Sequence, residues 1–330
     1  MGDWGHESCR AWLANPRLPG VTNKVTGVNS QVFDHTSVGR FLEARFGIVI
    51  PGISSWHRAV CGDLTSAFDF SQHYEAIFPA LPYVSDSETV IAKDDELSKP
   101  TVPTAAGSPF QEDGVRPSRP LPYLLNVDIR IQPDRKLKLT FVNSGLQGAV
   151  FHVYDKLHLE RIPRRYTVEA RREIDDEWLA DTVDRSKYDL WVYGPNGFLR
   201  EIRIDLSESS VLRGVPTVLL KHDAASAAIE LILTRRSAAN PDASDFMVRA
   251  NAYRSDGPWS LSLHTAERES RIWTLAATGG WYDFTVTGKY LTYRFAGRLE
   301  TGRSSTSDPA LAIELSEPES LWPEITLFGL

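Results

Sequence analysis

Two cysteines, Cys9 and Cys61, are all that 330 residues contain. That number supports neither a disulfide framework nor a cysteine-based zinc site, and it leaves the redox compartment open. Long apolar runs are missing as well: none nears the 18 residues that mark a membrane-crossing helix. The opening MGDWGHESCRAWLANPRLPG lacks a basic stretch followed by an apolar one, so no signal peptide is expected. Positive charge is in deficit, with 36 Lys and Arg against 43 Asp and Glu for a net −7, and nucleic acid is not an expected partner. No zinc signature, phosphate-binding glycine loop, dinucleotide fingerprint or nucleophile elbow occurs. Each of those absences removes a class of enzyme that local spacing would reveal.

What is present is an ordinary folded composition, 42% hydrophobic, long enough for two or three domains. It has three textures. Residues 28–70 read as helical. Thr36 or Ser37 is placed to cap a helix, Val38, Phe41, Leu42 and Phe46 recur at helical spacing, and Gly47 suits the position just past its end. That helix has an apolar face with nothing nearby in sequence to cover it, which makes it a docking or aggregation liability unless it folds back on a later domain. Residues 85–122 are polar and proline-rich and read as a linker or extended wrapping segment. From Tyr123 onward, short alternating runs and turn signals dominate.

The third texture predicts strands. In KLKLTFVN, Leu137, Leu139 and Phe141 alternate with Lys136, Lys138 and Thr140, the period of a half-buried strand. YDLWVYGPNGFLREIRIDL predicts a hairpin with Gly194-Pro195-Asn196-Gly197 as its turn and Ile202, Ile204 and Leu206 on one face. This hairpin has a second copy. Trp178 aligns with Trp273, and Tyr188-Asp189 with Tyr282-Asp283, at an offset of about 94 residues. Upstream, Tyr154 aligns with Tyr253. A period that long is a domain, so two related antiparallel β-sandwiches are expected, over about 122–208 and 212–300.

Residues that could carry chemistry are few. Asp34, His35, Thr36 and Ser37 stand side by side; capping accounts for Thr36 and Ser37 and leaves His35 unexplained. Asp63 is placed as another cap, with Leu64 and Phe68 on one helical face. His152 and His158 read as structural histidines, and Arg161–Tyr166 as a solvated strand edge or an anion or headgroup contact. Trp178, Trp191, Trp259, Trp273 and Trp281 have the residue type of a quaternary-ammonium cage, but their repetition at matching positions predicts sandwich core. Composition and spacing by themselves assign no activity.

Longer motifs do. NSQVFDHTSVGRFLEARFG followed by ISSWHRAVCGDLTSAFDF resembles the end of the catalytic domain of bacterial phosphocholine-preferring phospholipases C, of the acid-phosphatase-like phosphoesterase superfamily. GAVFHVYDKLHLERIPRRYTVEA and YDLWVYGPNGF resemble the first of that family's two C-terminal domains, and VRANAYRSDGPWSL and GGWYDFTVTGKY the second. The resemblance covers about residues 28–300. It implies hydrolysis of phosphatidylcholine or sphingomyelin to phosphocholine and diacylglycerol or ceramide, with a divalent metal expected for the full-length family and none held in this chain. It implies a phospholipid substrate or membrane surface as partner, or a catalytic half supplied in trans, and export to the periplasm or beyond. Only Asp34 and His35 match a family segment that would border the catalytic pocket. Residues 1–27 match nothing in the family, so the chain is expected to be a C-terminal fragment, inactive alone. The alternative is a lipid-, headgroup- or partner-binding β-sandwich module. The expected fold is mainly β: two tandem small antiparallel β-sandwiches preceded by a short helical remnant of an α/β phosphoesterase domain. The expected division is an unplaced segment 1–27, the remnant 28–84, a linker 85–121, sandwiches 122–208 and 209–302, and a tail 303–330.

Overall fold

The computed structural model describes residues 27–68, 114–207, 215–235, 245–263 and 267–312. Cys9, most of the proline-rich stretch and the last residues of the tail lie outside them. Helix α1 (His35–Phe46) and helix α2 (Ser55–Val60) come first. The strands follow in order: β1 (Pro117–Ser118), β2 (Leu125–Ile131), β3 (Leu137–Asn143), β4 (Ala149–Asp155), β5 (Arg164–Val168), β6 (Arg172–Trp178), β7 (Lys187–Tyr193) and β8 (Leu199–Asp205). Then come β9 (Thr217–Asp223), β10 (Ala228–Thr234), β11 (Asp245–Ala252), β12 (Trp259–Ser262), β13 (Arg268–Thr274), β14 (Trp281–Thr287), β15 (Leu291–Arg298) and β16 (Ser305–Thr306).

Alternation decides which way each strand faces. Leu137, Leu139 and Phe141 of β3 are fully buried while their neighbours are not, and each contributes roughly 1.5–3 kcal/mol through removal of apolar surface from water. The three-stranded sheet β2–β3–β6 lies over β5–β4–β7–β8, and the repeat places β9–β10–β13 over β12–β11–β14–β15. Aromatic rings join the layers: Phe141 meets Phe151 at 5.3 Å, and Trp273 stacks on Phe284 at 4.6 Å.

The two units share more than a linker. β8 pairs antiparallel with β15, so the larger sheets of both sandwiches run on as one eight-stranded sheet. Tyr193 pairs with Leu199 and Thr287 with Thr292, which makes Glu201 and Arg294 equivalent in the repeat. These two residues also sit opposite each other across the β8–β15 ladder, bonded at 2.9 Å from Arg294 Nη1 to Glu201 Oε1. Equivalent residues facing each other is the signature of a local two-fold axis. The axis passes through an opposite-charge pair, where a strict repeat would have placed like charges.

Several expectations change on this frame. Trp178, Trp259, Trp273 and Trp281 are buried as expected, but Trp191 is not in the core. It alternates with buried Leu190 and Val192, so it lies on the outer face of the long sheet beneath the Lys156 ammonium at 4.3 Å. Arg164–Val168 is an edge strand of that sheet. Tyr253 lies just past β11 at φ 68°, after a bulge between Ala250 and Ala252, whereas Tyr154 is inside β4. Residues from Pro117 are seated: β1 pairs with β16, and the Leu121 amide donates to Glu300 Oε2 at 3.0 Å.

The helical piece sits on one end of the first sandwich. Gly148 N donates to Ala59 O at 2.8 Å, Gln147 Nε2 to Val60 O at 2.9 Å, and Trp56 Nε1 to Thr167 Oγ1 at 3.0 Å. A Cβ at Gly148 would come within 2.8 Å of the Ala59 carbonyl, so this close approach requires glycine. The outer stripe of α1 remains open: Val38, Leu42 and Phe46 are exposed, and Ile48 and Val49 extend the patch.

Candidate functional site

The segment bearing Asp34 and His35 is built by helix capping. The N-cap of α1 is Asp34, not Thr36 or Ser37. Its Oδ1 accepts from Thr36 N at 2.9 Å and Thr36 Oγ1 at 2.6 Å, while Ser37 Oγ accepts from Asp34 N at 3.0 Å, closing a capping box. The sequence reading missed this because Asp, Thr and Ser are all good caps and only the backbone shows where the helix begins. At the far end Gly47 adopts φ 67° and its amide returns to Glu43 O. Asp63 caps no α-helix. Its carboxylate accepts from Thr65 N and Oγ1, turning the chain into a single 3₁₀ turn.

Asp34 Oδ2 also lies 3.4 Å from His57 Nε2, and Ser54 Oγ is 2.6 Å from His57 Nδ1. Burial raises the Asp34 pKa; the Thr36 hydroxyl and amide, the His57 ring and the Cys61 thiol outweigh it and hold the carboxyl below its usual range. This aspartate–histidine–serine line has the wrong order for nucleophilic catalysis, which needs the carboxylate on Nδ1 and the hydroxyl on Nε2. Ser54 Oγ is moreover the cap of α2, accepting from His57 N at 3.3 Å. His35 is exposed on the first turn of α1 and points to no partner in this line. Asp34→Ala is expected to cost about 1 kcal/mol, the range of a lost N-cap; a thermal melt unchanged from the parent would show that the box contributes nothing.

Glu43 anchors the base of this region. Arg58 grips it with two bonds of 2.8 Å and the Ile50 amide adds a third, lowering its pKa to about 2. The arrangement ties α1 to α2 and leaves Asp34 at the rim.

A second polar group lies where the two sandwiches meet. Arg200 is fully buried; it donates to Leu199 O, Ala296 O and Tyr282 Oη at 2.8, 2.9 and 3.1 Å, and packs against the Phe198 ring at 4.1 Å. His222 Nε2 is 3.1 Å from the same Tyr282 Oη. A narrow cleft beside them is lined by Tyr123, Phe198, His222, Tyr282, Arg298 and Glu300. Arg298 and Glu300 lie 3.5 Å apart with side chains 2% and 6% exposed. Burial lowers the Arg298 pKa and raises that of Glu300, each partly offset by the other's charge. The sequence held one signal for this cluster: Arg200 falls in phase with Ile202, Ile204 and Leu206, a charge at an inward position.

The opposite end of the first sandwich holds a third group. His158 Nε2 is 2.8 Å from Asp184 Oδ2 and 3.5 Å from Asp181 Oδ2, and Arg161 Nη2 donates to Asp181 at 2.5 Å. Among the described residues this is the only cluster of ligand-type side chains close enough to share an ion. Arg161 and His158 already occupy both carboxylates, so it reads as an ion-pair brace between two loops. The Asp184 carboxylate raises the His158 pKa, so the brace is fully formed below an imidazole's ordinary value near 6.5 and weakens as pH rises through the raised one. His152, on β4, belongs to the outer face of the sheet and does not join it.

Comparison with known proteins follows the same division. The family described as bacterial phospholipase C, C-terminal domain, matches residues 117–203 and again 216–298. The chain is similar to a non-hemolytic phospholipase C of Pseudomonas aeruginosa, 42% identical over 310 residues, which is 90% of this chain and 44% of the relative. A non-hemolytic phospholipase C of Burkholderia pseudomallei is 40% identical over 309 residues, 90% of this chain and 43% of the relative. The hemolytic phospholipase C of Pseudomonas aeruginosa is 36% identical over 320 residues, 87% of this chain and 43% of the relative. The chain thus spans less than half the length of the curated relatives it matches.

Proposed function

For a chain that belongs to the bacterial phospholipase C family through two copies of its C-terminal domain, we propose an accessory function within a phosphocholine-preferring phospholipase C. The two sandwiches form a rigid platform, and residues 28–68 form the face on which the catalytic part of the enzyme docks. The observation that carries this is the open stripe Val38, Leu42 and Phe46 of α1 with Ile48 and Val49 just beyond it, on a helix held through Arg58 to α2, which is bonded to the platform. An apolar stripe of that extent is a partner surface, and the relatives' length beyond the matched region supplies a partner of the right kind, on the same polypeptide or in trans.

On this reading, hydrolysis of phosphatidylcholine or sphingomyelin to phosphocholine and diacylglycerol or ceramide is the work of the whole phospholipase. Asp34 stands at the rim of the docking face as a capping residue that borders the pocket, with exposed His35 beside it. The divalent metal expected for the whole enzyme has no fitting ligand set here: among the described residues none gathers around Asp34 or His35, and no chemistry of this chain passes through one.

Two experiments test the proposal. The purified chain, given divalent metal and a chromogenic phosphocholine ester, is expected to turn over no faster than buffer; measurable turnover would sink the accessory reading. A hybrid carrying residues 28–312 in place of the matched region of the Pseudomonas aeruginosa non-hemolytic enzyme is expected to hydrolyse phosphatidylcholine. Val38→Asp with Phe46→Asp is expected to lower that rate at least about tenfold, since two charges would be buried at the docked face. A folded hybrid indifferent to both substitutions overturns the docking face.

A further inference from the structure

Asp34, at the rim of the docking face, ends a short stretch that hangs from residues 117–123. At the start of that stretch Val28 runs parallel to Ser118: Val28 N donates to Pro117 O at 2.7 Å, and Arg119 N to Val28 O at 2.8 Å. Four residues on, Val32 N donates to the Tyr123 hydroxyl at 2.9 Å. The chain then reaches Asp34, the cap of α1. Backbone pinned this close to a cap fixes where the helix begins.

Residues 116–121 are gripped in turn by the second sandwich. β1 pairs with β16; Ser307 N donates to Arg116 O at 2.7 Å, and Arg116 N to Ser307 Oγ at 2.9 Å. β16 is fastened to the end of its own sandwich. Trp281 Nε1 donates to Thr306 O at 3.2 Å, Ser305 Oγ to Gly279 O at 2.9 Å, and the Tyr253 hydroxyl to Asp308 Oδ1 at 2.9 Å. From the end of β15, Arg298 Nη1 donates to Ser118 Oγ at 2.7 Å, and Glu300 Oε2 accepts from Leu121 N at 3.0 Å.

The repeat shows that the sandwich fold does not need this grip. Arg298 and Glu300 correspond to Asp205 and Ser207 of the first unit, on either side of the equivalent buried leucines Leu299 and Leu206. Asp205 pairs with Lys187 at the surface, and Ser207 is exposed. Arg298 and Glu300 are instead withdrawn from water, their side chains 2% and 6% exposed. Burying two charges is costly, and Arg298 Nε and Glu300 Oε1 find no hydrogen-bond partner among the described residues. What the pair secures is the course of residues 118–121.

We infer that Arg298, Glu300 and Ser307 are positioning residues for the catalytic site: through residues 116–123, the second sandwich sets where Val28–Asp34 and the start of α1 stand against the catalytic part. None of the three touches the reacting atoms; they act through the backbone that carries Asp34. The first sandwich holds the other side of the docking face, bonding α2 through Gly148, Gln147 and Trp56. The two copies of the domain therefore grip one face from two sides, which gives the second copy a task the first does not perform. The inference rests on the docking of the catalytic part at residues 28–68.

The test has two arms. In the full chain, hydrogen exchange of single amides is followed by NMR. Glu300→Leu removes the acceptor for Leu121 N and is expected to speed exchange at Val28 and Val32 about tenfold or more, while Arg58 and Cys61 in and after α2 keep the parent rate. Ser307→Ala, a change too small to unfold the sandwich, is expected to give about threefold at the same two amides. Glu300→Gln keeps an acceptor and is expected to restore the parent rates. Parent rates in both Glu300→Leu and Ser307→Ala, or equal acceleration in α2, would overturn the grip. In the hybrid enzyme, Glu300→Leu is expected to lower kcat for phosphatidylcholine about tenfold or more with KM within about twofold, the mark of misplaced groups and not of lost substrate binding; Glu300→Gln is expected to recover it. An active hybrid whose kcat ignores Glu300→Leu overturns the positioning role alone. A hybrid inactive in its parent form overturns the accessory function, and the positioning role with it.

Discussion

Arg200→Ala is expected to cost about 3–5 kcal/mol and to loosen both sandwiches at once, the size of a large-to-alanine change in a packed core. The side chain has no exposure. Its guanidinium lies among the Phe198, Phe295 and Tyr282 rings at 4.1, 5.4 and 5.8 Å from their centroids, and it donates across the β8–β15 seam to Ala296 O. Truncation empties that space and removes the guanidinium's bonds to the two carbonyls and to the Tyr282 hydroxyl, which keeps His222 as a neighbour; a buried acceptor left without a donor costs about 1–3 kcal/mol. Arg200→Met keeps much of the volume and loses only the donors, so its cost is expected to fall between that of the parent and that of alanine. Urea unfolding followed by tryptophan fluorescence and by circular dichroism measures both points. The two probes should give one coincident transition, because Arg200 sits in one sandwich and bonds the other. A loss under about 1 kcal/mol, or a transition that splits with only the first sandwich shifted, would contradict the role of Arg200 at the seam.

Acid is expected to weaken the same seam through His222. Burial, with the Arg200 charge adding to it, pushes the His222 pKa down to about 3. The unfolded chain binds that proton near pH 6.5, so the folded state binds it more weakly and stability falls as pH drops below about 6.5, continuing to about pH 3. The slope approaches about 1.4 kcal/mol per pH unit, or about 2–3 kcal/mol by pH 4.5. Tyr282, Arg298 and Glu300 line the same cleft as His222, and Arg200, bonded to Tyr282, is the cation whose charge opposes one on the His222 ring. His158 acts with the opposite sign, since its raised pKa makes its contribution largest in acid. His222→Gln removes the titration, so the difference between parent and variant isolates it. Denaturant midpoints from pH 7 to 4.5 are expected to fall more steeply for the parent. Parallel curves would place the His222 ring in water and not at the seam.

The strands and the repeat were legible because both are local. Alternation in Leu137, Leu139 and Phe141 states which face is buried, and the paired Trp178/Trp273 and Tyr188/Tyr282 positions state that the pattern recurs. The long resemblance of the chain's motifs to phospholipases C was legible for the same reason, as contiguous spelling. The candidate site was only half legible. Asp34 and His35 were found by neighbourhood, but the cap, the Asp34–His57–Ser54 line and the Arg58 grip on Glu43 join residues up to 23 positions apart, which spacing does not announce. Trp191 was misplaced because it was grouped with the repeated tryptophans, although its counterpart in the second unit is Thr285 and its strand phase, between Leu190 and Val192, assigned it outward.

By itself, then, the amino-acid order determined the secondary structure, the duplication and the kinship of the chain. Side-chain periodicity records burial one strand at a time, and it does so strongly because a one-residue slip would turn every core residue to solvent. Only the tertiary structure decided that β8 meets β15 and that the duplicated units share one sheet about a local two-fold. Every strand edge offers the same row of N–H and C=O groups whatever its side chains. Which two edges meet is therefore settled by how distant surfaces pack, and so is the place of Arg200 and His222, which depend on that meeting.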